Sequence, residues 1–265
     1  MKFFKIALIP VFILLTGCLD SSSSSYDNTE DLAYYEDFSQ QTNVTETSSG
    51  LLYRIIEEGE GGSPTADQHA IIKYTGNSVD QSSQYDTGNG FEIIVPNNMA
   101  SFAGIGEGVQ LMKRGARYEF VIPSDLAIND GRVFRFEIQL ESFLEQDQEQ
   151  FLVDNAELED IQVTSSGLQY RVLEEGDGDT PTSTSSVSVH YKGTFTNGYT
   201  FDQSPEGEPV ELRVSGVIDG FAEGLLLMKE GSKYELFLPP ELGYGNNPPQ
   251  FGTVLRFEVE IVEIL

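Results

Sequence analysis

Apolar and polar positions alternate along most of the second half of the chain. Val187, Val189 and Tyr191 fall on one side of a strand pattern, with Ser188, His190 and Lys192 on the other. Val210, Leu212 and Val214 repeat the alternation, as do Tyr234, Leu236 and Leu238. The last segment sets Leu255, Phe257, Val259 and Ile261 against Arg256, Glu258 and Glu260. Period two with one apolar face predicts an antiparallel sheet covered on one side. Asn197-Gly198 predicts a two-residue hairpin turn leading into Tyr199–Phe201. The period changes at Val217–Met228, where Phe221, Leu225 and Met228 share the face of one short helix, capped by Asp219 and stopped near Gly231. Gly224 inside so short a helix costs about 1 kcal/mol relative to Ala, which predicts another backbone packed against it. A curved antiparallel sheet wrapped over one short helix makes the class α+β.

The pattern occurs twice. Ser48-Ser49-Gly50-Leu51-Leu52-Tyr53-Arg54 returns as Ser165-Ser166-Gly167-Leu168-Gln169-Tyr170-Arg171, and Glu57-Glu58-Gly59 as Glu174-Glu175-Gly176. Leu111-Met112-Lys113 returns as Leu227-Met228-Lys229, and Phe134-Arg135-Phe136-Glu137 as Leu255-Arg256-Phe257-Glu258. Two tandem copies of one domain are therefore predicted, over residues 47–143 and 164–265. Between them residues 144–163 are acidic, and the spacing of Phe151, Leu152 and Leu158 predicts a weakly amphipathic helical linker.

Composition changes the picture in two ways. A formal net charge of −28 repels phosphate backbones and excludes nucleic acid as a partner. A single Cys excludes an intrachain disulfide, so each domain depends on its own core. That Cys follows Lys2, Lys5 and the apolar run Ile6–Leu15, the order of an export signal over residues 1–17. Leu15-Thr16-Gly17-Cys18 resembles the lipobox of bacterial lipoproteins, which implies cleavage before Cys18, acylation of that residue and attachment to a membrane. Leu19, where that resemblance has Asp in proteins kept at the inner membrane, implies an outer-membrane lipoprotein facing the periplasm. Residues 18–46, with Ser21–Ser25 and scattered acids, read as the acylated Cys and a disordered tether, with docking of Tyr34, Tyr35 and Phe38 onto the first domain left open. Its flexible reach would be on the order of 25–30 Å.

Val187–Gly193, Phe201-Asp202, Val217-Ile218-Asp219-Gly220-Phe221, Leu242-Gly243-Tyr244-Gly245 and Leu255–Glu260 together resemble the FKBP-type peptidyl-prolyl cis-trans isomerases over about 100 residues, with compatible order and spacing. The resemblance implies an isomerase acting on X-Pro bonds of exported proteins. Its partners are then proline-containing polypeptides, and it uses neither cofactor nor metal. Carried over position by position, it implies that Tyr191, Phe201, Val217, Ile218, Phe221 and Phe257 line a proline pocket. Asp202 stands at its wall, and Tyr244 offers its hydroxyl to a substrate carbonyl; Phe251 stands in for an aliphatic pair sometimes found after that tyrosine. Tyr244, Asp202 and Phe221 are thereby the residues assigned to catalysis. Phe221 itself is a departure, because the resemblance often has Trp there, and it implies a roomier pocket. His190 and His69 are lone histidines without paired ligands.

The first copy departs further. Tyr74 matches Tyr191 and Tyr85-Asp86 matches Phe201-Asp202, but Ser101-Phe102 stands for Val217-Ile218, Ile105 for Phe221 and Ile128 for Tyr244. The stretch from Ile128 to Phe136 is also about five residues shorter than that from Tyr244 to Phe257. This copy is expected to keep the fold and to lose most of the activity, serving as a spacer, a client-binding surface or a dimer contact. The alternative for the whole chain is a non-catalytic, chaperone-like lipoprotein that holds clients without isomerising them. The sequence leaves the oligomeric state open.

Overall fold

A computed structural model describes residues 26–88, 90–245 and 252–265. The expected lipidation site Cys18 and the pocket candidate Phe251 lie outside the described residues.

Two sheets with the same strand order follow one another. The first part holds helix α1 (Thr29–Ser39), strands β1 (Thr45–Glu46), β2 (Leu52–Glu57), β3 (Ala70–Ser78), β4 (Gln84–Asp86) and β5 (Glu92–Ile94), helix α2 (Ala103–Leu111), and strands β6 (Arg117–Ile122) and β7 (Phe134–Phe143). The second holds helix α3 (Gln148–Ala156), strands β8 (Gln162–Val163), β9 (Gln169–Glu174), β10 (Ser186–Phe195), β11 (Thr200–Gln203) and β12 (Val210–Arg213), helix α4 (Asp219–Leu227), and strands β13 (Lys233–Leu238) and β14 (Leu255–Ile264). One sheet runs β1-β2-β6-β7-β3-β4 with β5 beside β3; the other runs β8-β9-β13-β14-β10-β11 with β12 beside β10. Every ladder is antiparallel, and each sheet curves over one short helix. The expected α+β class stands, with two tandem sheets of one strand order.

The apolar alternation explains the core. Leu236, Leu238, Leu255, Val259 and Ile261 are fully buried, and α4 meets them with Phe221, Leu225 and Met228. Burying a side chain of that size contributes roughly 1.5–3 kcal/mol. On the opposite face of β13, buried Glu235 is held between Arg171 and Arg256, as Glu119 is between Arg54 and Arg135 in the first sheet.

Several local expectations need correction. Against Gly224 lies the side chain of Leu236, not another backbone; a Cβ there would come within 2.3 Å of Leu236 Cδ1. Asp219 is the first residue of α4 and makes no capping hydrogen bond; the cap position belongs to Ile218. There the carboxylate still faces the positive end of the helix. The β10–β11 hairpin closes over three residues rather than two. Phe195 N–H donates to Tyr199 O at 2.9 Å, and Gly198 takes the left-handed position with φ 83°.

The tether expectation fails from Tyr26 onward. Helix α1 packs Phe38 against Leu52, Val121 and Val133. Its buried Asp31 accepts Val133 N–H at 2.8 Å and Tyr26 O–H at 2.6 Å. Tyr35 O–H donates to Gly50 O at 2.5 Å, and the Arg54 guanidinium lies 5.3 Å from the centre of the Phe38 ring. Apolar burial and satisfied polar groups outweigh a composition that alone favours disorder.

The segment expected as a linker also docks. Phe151 of α3 meets Phe237 at 6.0 Å, and Asn155 donates to Gln169 at 2.8 Å. Both helices end twelve residues before the leucine of the Ser-Ser-Gly-Leu run, so the duplicated unit begins with a helix.

Candidate functional site

A cavity of about 340 Å³ opens between the second sheet and the start of α4. It is lined by Tyr191, Asp202, Leu212, Gly216, Val217, Ile218, Phe221, Tyr244 and Phe257. Seven of these were expected from sequence. Leu212 and Gly216 were not assigned, although the alternation along β12 already turns Leu212 towards the helix side. Phe201 does not line the cavity; it stands behind Phe257, with ring centres 5.5 Å apart and planes at 88°.

Three elements position these side chains. Strands β10 and β14 are paired with Tyr191 opposite Val259 and Gly193 opposite Phe257. Gly193 makes room for the aromatics, since a Cβ there would lie 2.7 Å from Phe201 Cζ and 2.8 Å from Phe257 Cε1. The helix contributes Phe221 as the floor. Its ring meets Phe257 at 5.0 Å and Tyr191 at 6.0 Å, both edge to face, the favourable geometry for aromatic pairs. The 3₁₀ turn Val214–Gly216 leads the chain across the mouth and sets Val217 and Ile218 at the rim.

Polar groups are few and placed. Tyr191 O–H donates to Asp202 Oδ2 at 2.7 Å, while Asp202 Oδ1 accepts Gln203 N–H at 2.9 Å. Burial, then the bond to Asp202 and its charge, push the Tyr191 hydroxyl well above the usual tyrosine range. Burial and the charge of Asp202 likewise raise Tyr244, which follows the 3₁₀ turn Pro240–Leu242. Both phenols therefore stay protonated, as hydrogen-bond donors, throughout the neutral range. An apolar floor with the Tyr244 phenol at its rim can hold a compact apolar ring and steer a carbonyl.

The first copy builds this region differently. Phe102, at the position of Ile218, packs edge-on against Phe134 at 5.2 Å, Phe136 at 5.4 Å and Tyr85 at 5.4 Å. The half-buried ring thus lies against Tyr85 and Phe136, the counterparts of Phe201 and Phe257. Tyr74 O–H donates to Glu92 at 2.5 Å rather than to Asp86, whose carboxylate instead accepts Gly88 N–H. Ile128 is exposed.

Comparison with known proteins gives the family. Residues 178–262 match the family model for FKBP-type peptidyl-prolyl cis-trans isomerase, and residues 138–172 match the domain amino terminal to it. FkpA, an FKBP-type peptidyl-prolyl cis-trans isomerase of Escherichia coli O6:H1, is 30% identical over 221 residues, covering 76% of this chain and 80% of that protein. The chain belongs to the FKBP-type peptidyl-prolyl cis-trans isomerase family. Within it, the FKBP-type 22 kDa isomerase of Escherichia coli K12 is 47% identical over 121 residues, covering 43% of this chain and 58% of that relative. The chain spans about half the length of the first curated relatives it matches, from 45% to 58%. The crystal structure of FkpA from Escherichia coli aligns with a TM-score of 0.43 and 38% identity, over 44% of this chain and 57% of that one. The amino-terminal match covers α3, β8 and β9, so the helix once read as a linker belongs to a recognised part of the family's architecture.

Proposed function

We propose that the second domain is a peptidyl-prolyl cis-trans isomerase acting on X-Pro bonds of exported polypeptides. The observation that carries the reading is the open aromatic cavity over Phe221, with Tyr191, Asp202 and Tyr244 at its rim. Rotating a peptide bond costs about 18–20 kcal/mol because it breaks amide resonance. Uncatalysed X-Pro exchange takes tens to hundreds of seconds, slow enough to limit folding. A twisted amide is less dipolar than a planar one, so a dry apolar recess disfavours the ground state more than the transition state. Each 1.36 kcal/mol of that difference is about tenfold in rate.

The proline ring enters over Phe221 and between Phe257 and Ile218. Tyr244 donates its hydroxyl to a substrate carbonyl and holds the backbone while the amide turns. Asp202, itself held by Tyr191, orients dipoles at the wall and moves no proton. Phe221, smaller than the Trp often found there in the family, leaves a roomier floor beneath the proline ring. The family membership and the cavity support this reading. So does the first copy, whose different filling makes it a poor second site.

The export signal and Leu15-Thr16-Gly17-Cys18 support a lipidated Cys18 and a place at the outer membrane facing the periplasm. The decisive measurement is the rate of cis-trans exchange in a short Xaa-Pro peptide with and without the full chain. Acceleration is expected; an unchanged rate, with the peptide bound, turns the protein into a holder of clients. Mass spectrometry of the mature chain checks the acyl groups, and Cys18→Ser should release it from the membrane fraction.

A further inference from the structure

The two domains are joined by an apolar contact that the second copy does not reproduce. Neighbouring residues on β3 and β5 divide between two cores: Ile72 and Ile94 belong to the first domain, whereas Ile71 and Ile93 are buried in the cluster of the second. Ile71 pairs with Ile93; at the corresponding place in the second sheet the pair is Ser188 and Glu211. A strand that is apolar on both faces has something packed on each. Here the second partner is the other domain.

The contact bears on one hairpin. Phe91, just before β5, meets Phe195 at 5.8 Å and Tyr199 at 5.7 Å, edge to face with both. Asn197, at the tip, donates to Ser142 Oγ and Phe143 O of the first domain, each at 3.0 Å. This is the hairpin that carries Asp202, and β11 is the edge strand of its sheet, paired with β10 alone. An edge ribbon has no neighbour on its outer side to fix its twist. From Phe195 the ring contacts continue to Phe201 at 4.8 Å, then to Phe257 at 5.5 Å, which meets the floor residue Phe221 at 5.0 Å.

We propose that the first domain is a built-in positioning element for the proline pocket, acting through Phe91 on the β10–β11 hairpin. This rests on the second domain being the isomerase site. Phe91 touches no substrate; it is a positioning residue that keeps Phe201 and Asp202 in register with the cavity. The duplicated domain has thus exchanged a pocket of its own for the task of bracing its neighbour's.

The test uses the full chain with Phe91→Ala, Phe91→Leu and Asn197→Ala, and with Phe38→Ala as a variant of the first domain away from the joint. Exchange kinetics of an Xaa-Pro peptide and the aromatic NMR signals of Phe201 are both read. Phe91→Ala should lower kcat/KM about three- to tenfold, mostly in kcat, because small misplacement of a site costs rate more than binding. It should also shift the Phe201 signals, with Phe91→Leu recovering most of both. Asn197→Ala, which loosens the tip without opening the apolar joint, should show a smaller change in the same direction and serves if Phe91→Ala does not fold. Phe38→Ala should leave both readouts as they are. Rates and Phe201 signals unchanged in Phe91→Ala or Asn197→Ala overturn the proposal, as does an equal loss in Phe38→Ala. If the unmodified chain is inactive, the isomerase reading falls by itself, and the Phe201 signals alone decide whether the bracing exists.

Discussion

The two copies share a strand order and a helix, yet one keeps a hollow where the other has a packed ring. In the second domain Ile218 sits at the rim and leaves about 340 Å³ open over Phe221. In the first, Phe102 at the same position reaches Phe134, Phe136 and Tyr85, the last two being the counterparts of Phe257 and Phe201. The polar rim diverges in step, since Tyr191 is tied to Asp202 but Tyr74 is tied to Glu92. A fold with a pocket needs its sheet and helix held apart by residues that do not fill the gap.

That comparison can be broken most directly at the floor. Phe221→Ala should reduce kcat/KM about 50- to 100-fold, because it removes the aromatic surface that favours the twisted amide. Ile105→Ala at the matching position of the first copy should leave the rate within about twofold, since no open pocket depends on it. A loss of no more than about half in Phe221→Ala would mean that the two domains share the activity.

Tyr244→Phe comes next, with an expected loss of about three- to tenfold, the worth of one hydrogen bond to substrate. Its pH profile sharpens the assignment. The protonated phenol is the active form, and burial with the Asp202 charge raises its pKa. Activity should therefore hold across neutral pH and fall only above about 10, the ordinary tyrosine value. In the Phe variant that alkaline fall, measured at constant fold by circular dichroism, should vanish.

Phe102→Ala tests what fills the first copy. It should cost about 1–3 kcal/mol of stability by denaturant titration, less than a fully buried aromatic would, because the Phe102 ring is only half-buried. It should add no isomerase activity, because the Tyr-Asp pair and the counterpart of Tyr244 are still missing. New activity in a chain that also carries Phe221→Ala would show that the plug alone had silenced this domain. The smallest effect is expected for Asp202→Asn, about twofold to fourfold, since the amide oxygen can still accept from Tyr191 and no proton transfer is lost.

Much of this was legible in the chain. Period two fixed the faces of β13 and β14, and the same alternation put Tyr191 and Phe257 on the side of the helix. The pocket was legible because its residues stand at matching spacings. The joint between domains was less so. Ala70-Ile71-Ile72 is apolar without alternation where the second copy has Val187-Ser188-Val189, and that contrast is the mark of a strand covered twice. Helix α1 escaped because its apolar residues are few and its anchor is a carboxylate. Asp31 is 1% exposed, and nothing in the local pattern says that its partner is the backbone of Val133. The signal lay in the repeat instead, with α1 and α3 at the same distance from the shared Ser-Ser-Gly-Leu run.

The docking of α1 also sets a working distance. With Tyr26 already bonded to Asp31, seven residues of sequence, Leu19–Ser25, lie between Cys18 and the docked segment. Such a stretch spans roughly 25–30 Å at the very most, against roughly 90 Å for everything up to residue 46. A catalyst anchored at Cys18 would then patrol a thin layer next to the lipid headgroups.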